Sequence, residues 1–136
     1  MFSSFDVSAS ALEAQRIRLN AISSNLANIS TTRNEEGEPE AFQPRFVVFQ
    51  TDNDIQTSGG GKGVKVGAVE IEDIAPRMKY QPDHPDADEN GYVAYPNIDL
   101  TREFVDSLEA TRAYEANLGA FEVAKDLSRQ TLRIII

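Results

Sequence analysis

The sequence predicts an α+β protein in which long N- and C-terminal helices pair as a coiled coil, with a small antiparallel β insert between them. Three observations carry this expectation. Residues 97–136 contain no proline and one glycine, Gly119, and repeat apolar residues at heptad spacing. Residues 3–29 do the same on a cleaner grid. Between them the period switches from helical to alternating, punctuated by glycine and proline. The expected organisation is a helical assembly core, 1–33 with 97–136, and an acidic β-rich insert, 34–96.

In the first helix, expected over Ser3–Ile29, Phe5, Leu12, Leu19 and Leu26 stand seven apart. Ile22 and Ile29 fill the later half of the complementary series, behind Ser8 and Gln15. Ser3 with Asp6, or Ser10 with Glu13, has the spacing of a capping pair. Ser30, Thr31, Thr32, Arg33 and Asn34 favour turns and end the helix.

Within the insert, Phe42–Phe49 and Val64–Ile74 read as strands, with Arg77–Gln81 and Gly91–Tyr95 as shorter ones. The stretch Thr57–Gly63 is a flexible loop by composition. It places a glycine before Lys62, but Gly63 stands where a phosphate loop needs Ser or Thr and Gln56 where the first glycine belongs, so the nucleotide reading fails. Asp86, Asp88, Asn90 and Gly91 match the first half of a calcium loop. The twelfth position is Asn97, which cannot supply the bidentate carboxylate, and the residues between resemble a strand more than an exit helix. The plainer reading is a polar hairpin turn with Asn90 and Gly91 in left-handed conformations. His84 is the only histidine and has no paired nucleophile or base.

The last helix is expected from Asn97, as N-cap, to Ile136. Asp99 and Glu103 place acids near its positive end. On a heptad grid from Leu100 the inward positions are Leu100, Phe104, Ser107, Thr111, Tyr114, Leu118, Phe121, Lys125, Ser128, Leu132 and Ile135. A second, narrower apolar stripe runs through Val105, Val123, Leu127 and Ile134. A helix apolar on two sides must be covered twice. Leu100 to Ile134 would span about 50 Å at ~1.5 Å per residue, whereas a compact globule of this chain length is only about 37 Å across. Either the protein is a rod or the helix finishes its packing on other molecules, and Ile134, Ile135 and Ile136 are available for such contacts. The free subunit should then hold a folded insert and largely disordered ends.

The 136 residues contain no cysteine, which removes disulfides and thiolate metal sites, and no tryptophan. No apolar run approaches the roughly 20 residues of a membrane span. The first residues, Met1-Phe2-Ser3-Ser4-Phe5-Asp6, have neither a basic nor an apolar signal region, so export, if any, is expected without a cleaved signal. The net charge is -9. Residues 34–99 hold 14 acids against 5 bases and the rest 8 of each, so all the excess is in the middle. Near-neutral helices suit association with many copies, and an acidic insert makes nucleic acid an unsuitable partner. No catalytic, cofactor, metal or small-molecule substrate site is expected.

The motif Asn25-Leu26-Ala27-Asn28, within Ile22–Thr31, resembles the N-terminal signature of bacterial flagellar rod and hook proteins. HPDADENGYVAYPN at 84–97 and TRAYEAN at 111–117 resemble more specifically the flagellar basal-body rod proteins, proximal-rod subunits of the FlgC type. The resemblance covers nearly the whole chain, with 35–62 looser. It implies a structural subunit of the periplasm-spanning driveshaft, exported unfolded through the flagellar type III apparatus and assembled helically by its terminal helices. The implied partners are other copies, related rod proteins, and the basal-body base or export apparatus. It also implies that Asn25 and Asn28 cap or bridge at the end of the first helix, and that Tyr114 and Asn117 mark an intersubunit contact. The expected assembly positions are Phe5, Leu12, Leu19, Ile22, Asn25, Leu26, Asn28 and Ile29 on the first helix, and Phe104, Leu108, Tyr114, Asn117, Leu118 and Phe121 on the last. Two alternatives are a soluble coiled-coil adaptor of flagellar secretion and a calcium-binding module.

Overall fold

The computed structural model describes residues 2–136, with Phe2 described by its backbone alone. Its elements, in chain order, are α1 (Phe2–Ala27), β1 (Arg45–Gln56), β2 (Lys62–Ile71), β3 (Arg77–Tyr80), β4 (Tyr92–Tyr95) and α2 (Leu100–Ile135). The strands form two separate antiparallel pairs, β1 with β2 and β3 with β4. The α+β architecture, with terminal helices packed together around a β insert, is the one the sequence predicts.

The helix pair is antiparallel. Phe5 meets Phe121 edge-on with ring centroids 5.1 Å apart. Arg18 pairs with Asp106 and Glu109 at 3.9 and 3.5 Å, and Asn25 reaches Glu103. In that register the start of α1 stands opposite roughly residue 124, so α2 outruns its partner from about Leu127, some 14 Å at ~1.5 Å per residue.

The helix covered on two sides is α1, not α2. Its exposed positions beyond the first turn (Ala9, Glu13, Arg16, Asn20, Ser23 and Ala27) form one narrow strip, and the rest is buried or half-buried. One flank takes α2 and the other takes the β1–β2 hairpin. Ser10 locks that hairpin: its hydroxyl donates to the Val7 carbonyl (2.7 Å) and accepts the Val64 N–H (3.1 Å). Ser10 is therefore a mid-helix bridge and not a cap, and Ser3 lies inside a helix that already runs from Phe2.

α2 is rotated from the expected seam. Ser107, Tyr114, Phe121 and Ser128 do turn inward, but Leu100, Phe104, Leu118 and Leu132 are 48, 59, 41 and 57 % exposed. The covered face runs instead through Ala110, fully buried, and the part-buried Ala113, Asn117 and Ala124. The bonds from Glu103 to Asn25 and from Asp106 and Glu109 to Arg18 fix this rotation, and small side chains let the backbones approach. The cap is Asp99, whose carboxylate accepts the N–H groups of Thr101 and Arg102. Asn97 cannot cap because Ile98, 4 % exposed, is anchored in the insert and delays the helix.

β1 extends beyond the expected Phe49 to Gln56, through register shifts at Val48/Phe49 and between Asp52 and Gln56. Thr57–Gly61 closes it tightly: the Thr57 N–H reaches the Gly61 carbonyl at 2.8 Å, and the Thr57 hydroxyl accepts the Gly61 N–H. The glycine-rich composition thus serves a turn, with Gly60 at φ 85°. At the β3–β4 hairpin Gly91 is left-handed, φ 83°, but Asn90 is not. One left-handed residue suffices because the Asp88 carboxylate accepts the N–H groups of Asn90 and Tyr92 and closes the turn from within.

Candidate assembly interface

Asn25 is the joint of the molecule. It is 2 % exposed, and its amide reproduces a backbone pairing with Arg45: Oδ1 accepts the Arg45 N–H at 2.8 Å, and Nδ2 donates to the Arg45 carbonyl at 2.8 Å. Nδ2 also donates to Glu103 Oε2 at 3.3 Å. One side chain therefore fixes the end of α1, the start of β1 and the first turn of α2. Only an amide can do this, since the site needs a donor and an acceptor on one planar head. Burial pushes the Glu103 carboxyl above its ordinary value; the Asn25 amide opposes the rise and Asp106 adds to it.

Asn28 closes the helix end. Its Nδ2 donates to the Ser24 carbonyl at 2.9 Å, and its Oδ1 accepts the Thr31 hydroxyl at 3.1 Å. Beyond it, Asp86 draws the turn onto the insert. Asp86 Oδ2 accepts the Thr32 hydroxyl at 2.7 Å, and Oδ1, with no aligned hydrogen bond, is met by Arg33 Nε at 2.6 Å. The first two acids of the calcium half-motif are thus committed to protein groups, Asp86 to Thr32 and Arg33 and Asp88 to the turn amides. No group of three His, Cys, Asp or Glu suited to a metal occurs among the described residues.

The expected assembly positions fall into two sets. Phe5, Leu12, Leu19, Leu26, Asn28 and Ile29 are half-buried and Ile22 and Asn25 buried, all on α1 or its terminal turn. Tyr114, Asn117 and Phe121 are part-buried on α2. Asn117 spends its amide on the Ala113 carbonyl of its own helix, at 2.8 Å, and Tyr114 borders a shallow hollow with Leu12, Glu13 and Arg16. Phe104, Leu108 and Leu118 face solvent. Sequence reading missed Arg18, Thr32 and Arg45, and gave Glu103 only a helix-dipole role. The one signal for them was the polar Asn25 at the edge of an apolar run.

What stands out on the surface is uncovered apolar area. The stripe Val105, Val123, Leu127 and Ile134 is 57, 61, 57 and 85 % exposed, and Ile135 and Ile136 beyond it are bare as well. Residues buried as core are few and small among those described: Ala14, Ile22, Ala41, Val93, Ile98 and Ala110. The chain exposes 9283 Å², against about 7,000 Å² for a compact protein of its mass. No described helix is long and apolar enough to cross a membrane.

Comparison with known proteins agrees with this geometry. Residues 5–33 match the family described as flagella basal body rod protein, and residues 89–134 the flagellar basal body rod FlgEFG protein C-terminal family. The flagellar basal-body rod protein FlgC of Borreliella burgdorferi is 37% identical, covering 99% of this chain and 97% of its own. That of Bacillus subtilis is 40% identical over 98% and 97%, and that of Salmonella typhimurium 41% over 96% and 94%. The matched segments are the two terminal arms that pair in the fold, and the whole-chain relatives include the insert between them. The chain belongs to the FlgC family of flagellar basal-body rod proteins, structural subunits of the basal body.

Proposed function

We propose that this rod subunit assembles helically through its terminal helices and carries motor torque by spreading load over many contacts with neighbouring copies and related rod proteins. It acts without catalysis, in the part of the rod that crosses the periplasm, and travels there through the flagellar type III apparatus. The observation that supports this reading is the second apolar side of α2, bare along its length and continued by the overhang past Leu127. Roughly 2,000 Å² beyond a compact chain's surface, at ~25 cal/mol per Å² for its apolar part, is worth tens of kcal/mol before ordering costs. A free subunit lacks that term. The secretion-adaptor and calcium alternatives gain no support, since the relatives are rod proteins and the loop acids hold protein groups.

Leu118→Asp tests the reading. Leu118 is 41 % exposed and outside the buried core, so the charge should leave the insert folded by circular dichroism. It should remove the chain from isolated basal bodies and abolish swimming. Normal incorporation of the variant would refute assembly through the exposed flank of α2 that carries Leu100, Phe104 and Leu118.

A further inference from the structure

Two charged features of the insert are left unused by the helix pair. All four residues of β3 are exposed, and Arg77 and Lys79 alternate with Met78 and Tyr80, so both cations project from one face of the strand. Neither cation has an ion-pair partner among the described residues. With Ile29, Ser30 and Tyr95 they border an open groove of about 670 Å³ at the foot of α1. This is a basic, partly apolar edge on a region that is otherwise strongly acidic.

The second feature is its electrostatic opposite. Glu35, Glu36 and Glu38 are exposed on the turn after α1, and no cation among the described residues pairs with them. The turn is preformed. Asn34 Oδ1 accepts the N–H groups of Glu36 and Glu38 at 3.1 and 2.9 Å, the Arg33 guanidinium donates to the Gly37 carbonyl at 3.2 Å, and Gly37 takes φ 83°. Docking it would cost little ordering entropy.

Two complementary surfaces on one chain that do not meet within it are the requirement for a head-to-tail contact, which repeats from copy to copy into a ring or an open helix. We propose that the Glu35–Glu38 turn of one copy docks on the Arg77 and Lys79 edge of a second copy. The contact rests on the assembly reading and adds to it a site in the insert. It also answers a difficulty of that reading: inserts carrying 13 acids against 5 bases would repel one another, and here three acids of one copy meet two bases of the next.

The test uses the full chain in flagellated cells. Arg77→Glu with Lys79→Glu should lower the amount in isolated basal bodies by about tenfold, as like charges then face each other. Adding Glu35→Lys, Glu36→Lys and Glu38→Lys to the same chain should restore it. In wild-type basal bodies a zero-length carbodiimide should join Lys79 to Glu36 or Glu38 in a band of twice the chain mass, and Lys79→Arg should remove it. Undiminished incorporation of the reversed pair overturns the proposal. So does failure of the swapped chain to recover while folded by circular dichroism, or a Lys79 crosslink only to a protein of another mass. Absence of the wild-type chain from basal bodies would instead sink the assembly reading, so the two failures are distinguishable.

Discussion

Replacing Asn25 by alanine removes three hydrogen bonds at once. Two are the 2.8 Å exchanges with the Arg45 backbone and the third is the 3.3 Å bond to Glu103. Each well-formed bond contributes about 1 kcal/mol net, and groups left buried without a partner cost about 1–3 kcal/mol. The Arg45 side is near the surface and can recruit water, so the two strong bonds lose little beyond their net value. Adding the void left by the amide, the total comes to about 3 kcal/mol, a large share of the ~5–15 kcal/mol available to a domain. The assay is urea unfolding of the isolated chain followed by circular dichroism. Asn25→Asp sharpens it: the shape is kept, but a carboxylate then faces the Arg45 carbonyl and Glu103 Oε2. At neutral pH that variant should be less stable than the alanine one, and acidification should narrow the gap. An alanine variant within about 0.5 kcal/mol of wild type, the level of an ordinary surface change, would refute the claim that this amide joins α1, β1 and α2.

Glu103 supplies a pH test. Its folded carboxyl titrates above the ordinary 4.5, so its contribution to stability is fully present below that value and is lost as pH rises through the folded pKa. Glu103→Gln, which still accepts from Asn25, should therefore gain on wild type between acid and neutral pH, read as the difference in urea midpoints at the two. Gly91→Ala should destabilise the insert by about 1–2 kcal/mol, because φ is 83° there and the new Cβ would lie 2.9 Å from Tyr80 Cε2. Thermal melts followed by tyrosine absorbance check it, and an unchanged midpoint would mean that the turn relaxes freely.

Much of this fold is legible in sequence because it is local. Heptads at Phe5, Leu12, Leu19 and Leu26 give a helix, alternation gives strands, and Gly91 gives its turn. The facing of α2 was not legible. Counting large apolar residues favours Leu100, Phe104 and Leu118, whereas the fold turns Ala110, Ala113 and Ala124 inward, and alanine leaves no mark on such a count. The deciding forces are polar and distant in sequence: Asn25 is 78 residues from Glu103, and no period reports that separation. Large side chains left outside are the ones a polymer can use, so one misplacement hid both the intramolecular seam and the Leu100, Phe104 and Leu118 part of the outer surface, while the stripe through Val105, Val123, Leu127 and Ile134 is exposed as expected. The same distance effect hid the role of α1. A half-buried stripe on one side is visible as a heptad, but cover from a hairpin on the other side depends on Ser10 meeting Val64, 54 residues away.

The central claim is that association completes a fold the lone chain leaves unfinished, and the structure places the boundary along α2. Against the largely disordered ends that the sequence suggests for a free subunit, α2 near Ala110, tied through Asn25 and Arg18, is held by its own molecule; from Leu118 on it is mostly bare and then unopposed. Amide hydrogen exchange of the dilute full chain, compared with the same chain in isolated basal bodies, reads this directly. The account predicts slow exchange around Ala110 in both states, and over Leu118–Ile135 fast exchange when dilute and slow exchange only when assembled. Strong protection of Leu118–Ile135 in the dilute chain would contradict it.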